Sequence, residues 1–323
     1  MLPVLASYPG AARERDAWIV ARRGPRNIVD PRRPYAFFVE DECDAAGEIV
    51  PTATVFLTNR ECPWRCVMCD LWRNTLAETV PPGAIPTQID YALQRLPTAR
   101  QVKLYNSGSF FDARAIPPAD HAAIASGLDA FERVIVECHP ALVGEACLRF
   151  RDLLRGRLEV AMGLETAHPE ILARLNKRMT TEQFESAARF LRRHGIDLRV
   201  FILVKPPFMR EEDAIEWAVR SLGFAFDCSA TAATLIPTRG GNGAMEELAA
   251  AGEFSPPALQ TLEAAAEQGV SLQRGRVFAD LWDAETSHCC AHCRERRIAR
   301  MRVMNMVQTV PPAIECAECR VDR

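Results

Sequence analysis

Six short apolar runs rich in β-branched residues alternate with amphipathic segments along the middle of the chain, and no other feature restricts the fold as much. The runs are ATVFLT (53–58), QVKLYN (101–106), RVIVEC (133–138), LEVAMGLE (158–165), LRVFILV (198–204) and SATAATLIP (229–237). Between them stand TQIDYALQRL, PADHAAIASGLDAF, EACLRFRDLL, TEQFESAARFLRRHG and EDAIEWAVRSL, whose apolar residues recur at helical spacing, with Gly195 placed to end the fourth. Successive βα units bury their apolar faces as a parallel sheet covered by crossover helices. The spacing therefore predicts an α/β fold, a partial (β/α)6 TIM-like barrel with its reactive groups at the C-terminal strand ends. Residues 1–50 read as an N-terminal extension, 51–250 as the barrel core and 251–323 as a C-terminal segment.

A chain of 323 residues, 48% apolar, can bury a core of that size. The net charge of −3 creates no global basic field, so a nucleic-acid partner would need a local patch. Two arginine-rich stretches could form one: Arg22, Arg23, Arg26, Arg32 and Arg33, and Arg294, Arg296, Arg297 and Arg300. No run reaches the eighteen or so apolar residues of a membrane span and the N-terminus has no signal-peptide pattern, so a cytoplasmic protein without a membrane partner is expected. In that reducing compartment clusters among the twelve cysteines read as metal or iron–sulfur ligands rather than disulfides. Of 39 basic residues only Lys103, Lys177 and Lys205 are lysine, which marks them as sites wanting a compact ammonium.

Directly after the first predicted strand, TNRECPWRCVMCDLW (58–72) carries Cys62, Cys66 and Cys69 at C-x3-C-x2-C spacing. A closed zinc site prefers four ligands, which a distant residue such as Cys43 would have to complete, and a simple ferredoxin cluster also takes four thiolates. Three thiolates leave one iron of a [4Fe–4S] cluster open. In this the chain resembles the radical S-adenosylmethionine (radical SAM) superfamily, in which the open iron is chelated by the methionine moiety of SAM. The resemblance implies reductive cleavage of SAM, hydrogen abstraction from a substrate inside the barrel, and an external one-electron donor of the flavodoxin or ferredoxin type.

Later strand ends agree. YNSGSFFD (105–112) occupies the place of the superfamily's glycine-rich motif, which makes Ser107, Gly108 and Ser109 candidates for the methionyl ammonium, although the motif's usual acidic residue is absent. Glu137 ends the third run, and Glu165 ends the fourth within GLETAHPEILARLNKRMT, which resembles the elongator catalytic subunit and methylthiotransferase branch. Met68 stands where an aromatic residue is common, so contact with adenine there would rest on backbone atoms. Lys205 ends the fifth run beside two prolines; it reads as a contact to a substrate or SAM carboxylate, against the alternative of a surface lysine. Gly240, Gly241 and Gly243, after the sixth run, either allow close approach to an anion or simply make a tight loop before a helix.

CDLWRNT, SGSFFD and KPPF (205–208) together resemble the radical SAM lyase subunit of archaeosine synthase and its uncharacterised relatives. That resemblance implies cleavage of a lysine adduct on a 7-deazaguanine base in transfer RNA. The alternatives are a small metabolite or peptide substrate or, in a different class, a non-catalytic iron–sulfur or zinc protein that binds nucleic acid. Near the C-terminus Cys290, Cys293, Cys316 and Cys319 form C-x2-C-x22-C-x2-C, the paired knuckles of a structural zinc site, with an auxiliary [4Fe–4S] cluster as the second reading. Cys43, Cys138, Cys147 and Cys228 are isolated and read as small core residues.

Overall fold

The computed structural model describes residues 7–320. In chain order the elements are α1 (Ala12–Ala21), β1 (Ala36–Cys43), β2 (Ile49–Phe56), α2 (Ala84–Leu93), β3 (Gln101–Tyr105), α3 (His121–Gly127), β4 (Arg133–Glu137), α4 (Glu145–Arg151), β5 (Arg157–Glu165), α5 (Pro169–Arg174), α6 (Thr181–Arg193), β6 (Asp197–Val204), α7 (Glu211–Asp227), β7 (Ala232–Pro237), α8 (Ala244–Ala250), α9 (Leu259–Ser271), β8 (Arg276–Ala279) and α10 (Arg294–Val307). One sheet runs β1 to β8 in sequence order, β1 antiparallel to β2 and the rest parallel. It curls into a half-barrel. The six expected strands are present as β2 to β7, and the sheet is two strands wider, with β1 added from the N-terminal flank and β8 from the C-terminal one.

Side chains alternate across this sheet with period two. Outward positions such as Val102, Leu104, Val134, Val136, Val160, Met162, Val200 and Ile202 are buried under the helices in one apolar core. Inward positions carry charge at the bottom of the barrel. There the Arg199 guanidinium of β6 donates to Glu42 of β1 (2.5 Å) and Glu159 of β5 (2.7 Å), Lys103 of β3 pairs with Glu42 (2.5 Å), and Arg133 of β4 pairs with Glu159 (3.0 Å). Burial alone would raise the Glu42 pKa, but Arg199 and Lys103 outweigh it and hold the carboxyl well below the usual range.

Above this floor lies an aromatic band. Phe38, Phe56, Tyr105 and Phe201 sit half-buried with successive ring centroids 6.0, 5.9 and 5.9 Å apart. At one edge of the sheet Arg276 of β8 reaches the Cys43 carbonyl of β1 (3.1 Å), so side chains cross the gap between the first and last strands. The free edge of β8 is covered by α10, whose Asn305 and Gln308 side chains pair with the backbone of Ala279 and Val277. Gly195 has φ +66° and follows α6, as its placement predicts. Cys43, Cys138, Cys147 and Cys228 are all buried. Among the described residues no helix is long and apolar enough to cross a membrane.

Candidate functional site

The seven parallel strands end together at one mouth, and the loop leaving β2 crosses it with Cys62, Cys66 and Cys69. Hydrogen bonds from two later segments hold the backbone of this loop. Val67 N–H donates to the Leu175 carbonyl (3.0 Å), the Asn176 side chain donates to the Arg65 carbonyl (2.7 Å), and the Asn242 side chain donates to the carbonyls of Val67 (2.8 Å) and Cys69 (3.1 Å). Glu61, beside the first cysteine, pairs with Arg23 (2.7 Å), Arg65 (3.1 Å) and Arg26. The Trp64 ring stacks on His139 with centroids 3.7 Å apart. The Met68 side chain packs, half-buried, against the apolar cluster that includes Trp18, Val67 and Leu203.

Burial pushes the thiol of Cys62 up to about 11 and that of Cys69 up to about 12, and raises Cys66 as well. The three thiols are therefore protonated unless a cation replaces their protons. Metal ligation does that, because the thiolate is the ligand.

Gly108 lies against Cys62, where an added Cβ would meet the cysteine Cβ at 3.2 Å, tighter than an ordinary contact. Ser107 has φ +55° and its hydroxyl is 3.2 Å from the Tyr35 hydroxyl, which the N-terminal flank brings to the mouth. The Ser109 hydroxyl is buried and turned toward the next loop, accepting from His139 N–H (3.1 Å) and donating to Cys138 Sγ (3.5 Å). The Glu137 carboxylate accepts from the backbone N–H of Asn106 (2.8 Å), and the neighbouring N–H groups of Gly108 and Ser107 also favour its charged form. Burial dominates nonetheless and raises its pKa to about 7. Asn106, just before this turn, is fully buried with neither atom of its side-chain amide partnered. Its signal in the sequence is a polar residue at a strand end immediately before Ser-Gly-Ser.

Glu165 ends β5 with φ +66° and forms a buried ion pair with Lys177. Gly163 makes the room for this pair: a Cβ there would fall 2.2 Å from Glu165 Oε1 and 2.3 Å from Lys177 Nζ. Lys205 is also buried, which rules out the surface-lysine alternative, and its ammonium sits 2.7 Å from both Ser255 Oγ and Glu211 Oε2. The structure thus brings Cys62, Cys66, Cys69, Gly108, Glu137 and Glu165 to one mouth and adds Lys177, Asn106 and Tyr35. Lys205 is tied to the start of α7. Of the two readings of the glycine loop, the tight turn holds: Gly243 N–H donates to Glu246 (2.6 Å) and so does Gly241 N–H.

A second cysteine group gathers at the N-terminus of α10. The sulfurs of Cys290, Cys293, Cys316 and Cys319 all lie within 4.8 Å of one another, a donor set for a second metal site. Cys290 is 3.2 Å from Cys293, 3.5 Å from Cys316 and 3.4 Å from Cys319, and Cys293 is 3.5 Å from Cys319. Arg297 Nε donates to Cys293 Sγ (3.1 Å) and Gln260 to Cys319 Sγ (3.4 Å). His292 is outside this donor set and pairs with Glu318 (2.9 Å).

Comparison with known proteins agrees with this geometry. Residues 56–218 match the radical SAM superfamily. An uncharacterized protein of Methanocaldococcus jannaschii, MJ0550, is 23% identical over 314 residues, covering 91% of this chain and 86% of that one. The archaeosine synthase subunit beta of Methanosarcina acetivorans is 27% identical over 84% of this chain and 83% of its own length. In fold, the chain resembles methylornithine synthase (TM-score 0.54, 13% identity, 80% of this chain and 72% of that one). It also resembles the Elp3 protein of Methanocaldococcus infernus (TM-score 0.51, 16% identity, 68% of this chain and 59% of that one). Curled sheet, cysteine loop and family match converge: the chain belongs to the radical SAM superfamily and is a radical SAM enzyme.

Proposed function

We propose that this enzyme acts on a 7-deazaguanine-type base in transfer RNA. The observation that carries the reading is the similarity to an archaeosine synthase subunit beta along most of both chains. The superfamily implies a [4Fe–4S] cluster and SAM, and the residues fit them: three half-buried thiols on one clamped loop, a glycine where a side chain would crowd the first cysteine, and an unpartnered buried amide at Asn106. When bound, that pair supplies the one-electron cleavage that begins the radical reaction, its electron coming from a flavodoxin- or ferredoxin-type donor.

The chain's own residues do the placing. Ser107, Gly108 and Glu137 shape the turn that would receive the methionyl end of SAM, and Met68 backbone atoms lie on the loop that would meet adenine. Ser109, hydrogen-bonded inward, supports the turn from behind. Below them the half-buried band of Phe38, Phe56, Tyr105 and Phe201 offers ring faces to a planar heterocycle and keeps water from the reacting atoms.

The C-terminal tetrad is proposed to hold zinc. A single tetrahedral ion with Zn–S bonds of about 2.3 Å holds its sulfurs roughly 3.8 Å apart, and here four of the six sulfur pairs are 3.2–3.5 Å apart and all lie within 4.8 Å. A four-iron cube attaches each thiolate to a different iron and spreads them wider.

A small metabolite is the competing substrate, and one observation favours it. Arg22, Arg23 and Arg26 pair with Glu247 and Glu61, while Arg297 and Arg300 pair with Glu263, so much of each basic stretch is engaged within the fold. Anaerobic turnover with dithionite, SAM and bulk transfer RNA separates the two. Formation of 5′-deoxyadenosine stimulated by RNA, with an altered nucleoside in the digest, supports the proposal. Stimulation by small molecules alone overturns it while leaving the radical chemistry intact.

A further inference from the structure

The first turn of α9 stands between the C-terminal cysteine tetrad and the barrel mouth, and it bonds to both. On one side Leu259 N–H donates to the His288 carbonyl (3.0 Å), just ahead of Cys290, and the Gln260 side chain donates to Cys319 Sγ (3.4 Å). One turn on, the buried Glu263 carboxylate pairs with Arg297, whose Nε donates to Cys293 Sγ (3.1 Å). Gln260 and Glu263 share a face of the helix, so α9 reaches one sulfur in each knuckle. On the other side Ala258 N–H (3.2 Å) and the Thr261 hydroxyl both donate to Glu211, the first residue of α7. Glu211 holds the buried Lys205 ammonium (2.7 Å) at the end of β6, and Ser255, in the chain entering α9, holds the same ammonium (2.7 Å). Just beyond Lys205, Phe208 N–H donates to the Glu253 carbonyl (2.7 Å). Met209 shares an apolar cluster with Val67 of the cysteine loop, and Phe208 and Met68 pack against that cluster.

We propose that zinc at the C-terminal tetrad is a conformational clamp on the barrel mouth: acting through α9, it fixes the Glu211–Lys205 joint and so holds residues 205–209 against the loop that carries Cys62, Cys66 and Cys69. This rests on the zinc reading of the tetrad. A metal-bound sulfur is a thiolate, an acceptor with no proton of its own, so Gln260 and the Arg297 guanidinium both donate to charge. Without the ion the two knuckles are no longer joined, and α9 loses a fixed partner in each. Loss of zinc therefore reaches the mouth along a chain of bonds, although zinc takes no part in the radical chemistry.

The test is hydrogen–deuterium exchange of the anaerobically reconstituted full-length protein, with zinc and iron measured on the same samples. Cys316→Ala removes a ligand other than the two that α9 engages, and Gln260→Leu removes one link while keeping all four ligands. Both should exchange faster than the wild type at 205–211 and 256–261, Cys316→Ala more so, with iron content unchanged. The 105–112 turn, held by Glu137 and the backbone of His139, should stay as protected as in the wild type. A metal that merely stabilised the whole fold would loosen both regions alike. Unchanged exchange at 205–211 in zinc-free Cys316→Ala, or in Gln260→Leu at full zinc loading, overturns the proposal, as does an equal rise at 105–112. A wild type without zinc overturns it together with the zinc reading, and the metal analysis tells that failure apart from the others.

Discussion

Asn305 of α10 uses both atoms of its amide on one residue of the last strand: Nδ2 donates to the Ala279 carbonyl (2.9 Å) and Oδ1 accepts from the Ala279 N–H (2.8 Å). One turn later Gln308 repeats the arrangement on Val277, at 3.1 and 2.7 Å. A helix thus plays the part of a neighbouring strand, and the open edge of the half-barrel is withheld from other chains. Substituting Asn305→Ala leaves two backbone groups without partners at a cost of about 1–3 kcal/mol each where water cannot reach them. The expected outcome is a lower urea midpoint for Asn305→Ala and self-association of Asn305→Ala/Gln308→Ala on size-exclusion chromatography. An unshifted midpoint would mean that the edge needs no such cover.

Arg199 bridges Glu42 and Glu159 at the barrel floor, where all three side chains are almost wholly buried. Removing only this cation leaves Glu42 to Lys103 and Glu159 to Arg133, each short of one buried partner, so Arg199→Met should cost about 3 kcal/mol at pH 7. The pH dependence has a definite sign. The folded-state pKa of Glu42 is depressed, so its contribution is fully present above the unfolded value near about 4.3 and is lost as pH falls toward the folded value. Urea unfolding of the wild type should weaken below about pH 5, while Arg199→Met should be less stable at pH 7 with a shallower acid limb. Parallel acid limbs in the two proteins would show that the pair does not couple folding to protonation.

Strands β2 to β7 could be read from sequence because their outward residues are apolar at every second position and their helices repeat at 3.6. The two added strands could not. β1 carries Glu40, Asp41 and Glu42 just before its last residue, which look like a solvated turn until Lys103 and Arg199 supply the buried cations that neutralise Glu42 from 61 and 157 residues away. β8 is four residues long, too short for a period to show. In the site, the cysteines and strand-end glutamates carried local signals. Asn242, whose partners Val67 and Cys69 lie 175 and 173 residues away, carried none. The scarcity of lysine pointed to three residues, and all three proved buried and ion-paired. Position at a strand end favoured Lys205, but the chain delivered Lys177 to the cysteines from a loop between helices.

Metal content tests the assignment of the two cysteine groups together. The anaerobically reconstituted protein should contain about four irons and about one zinc per chain. Cys316→Ala should remove the zinc, retain the iron and lower the thermal midpoint, because Cys316 and Cys319 anchor the chain after α10 to its N-terminus. Cys66→Ala should do the reverse, keeping zinc, losing iron and abolishing SAM cleavage. Near eight irons and no zinc would replace the zinc reading with an auxiliary cluster.

Lys205 provides the last prediction. Its ammonium is buried between Glu211 and Ser255, each at 2.7 Å, and the same Glu211 carboxylate accepts from the Ala258 N–H (3.2 Å) and from the Thr261 hydroxyl. Lys205 therefore joins the end of β6 to the start of α7 and to the chain entering α9. A planar guanidinium cannot occupy a space shaped for a compact ammonium with two acceptors, so Lys205→Arg should impair turnover although the charge is kept. Two causes for that loss can be separated. If Lys205 acts by holding the mouth together, Glu211→Gln should reduce turnover to a similar degree, and Lys205→Met/Glu211→Gln should cost less in stability than the two single variants summed. If it instead contacts a carboxylate of substrate or SAM, Lys205→Met should raise KM steeply while Glu211→Gln leaves it near wild type. The two short bonds to Glu211 and Ser255 favour the first outcome, and a steep rise in KM confined to Lys205 variants would refute it.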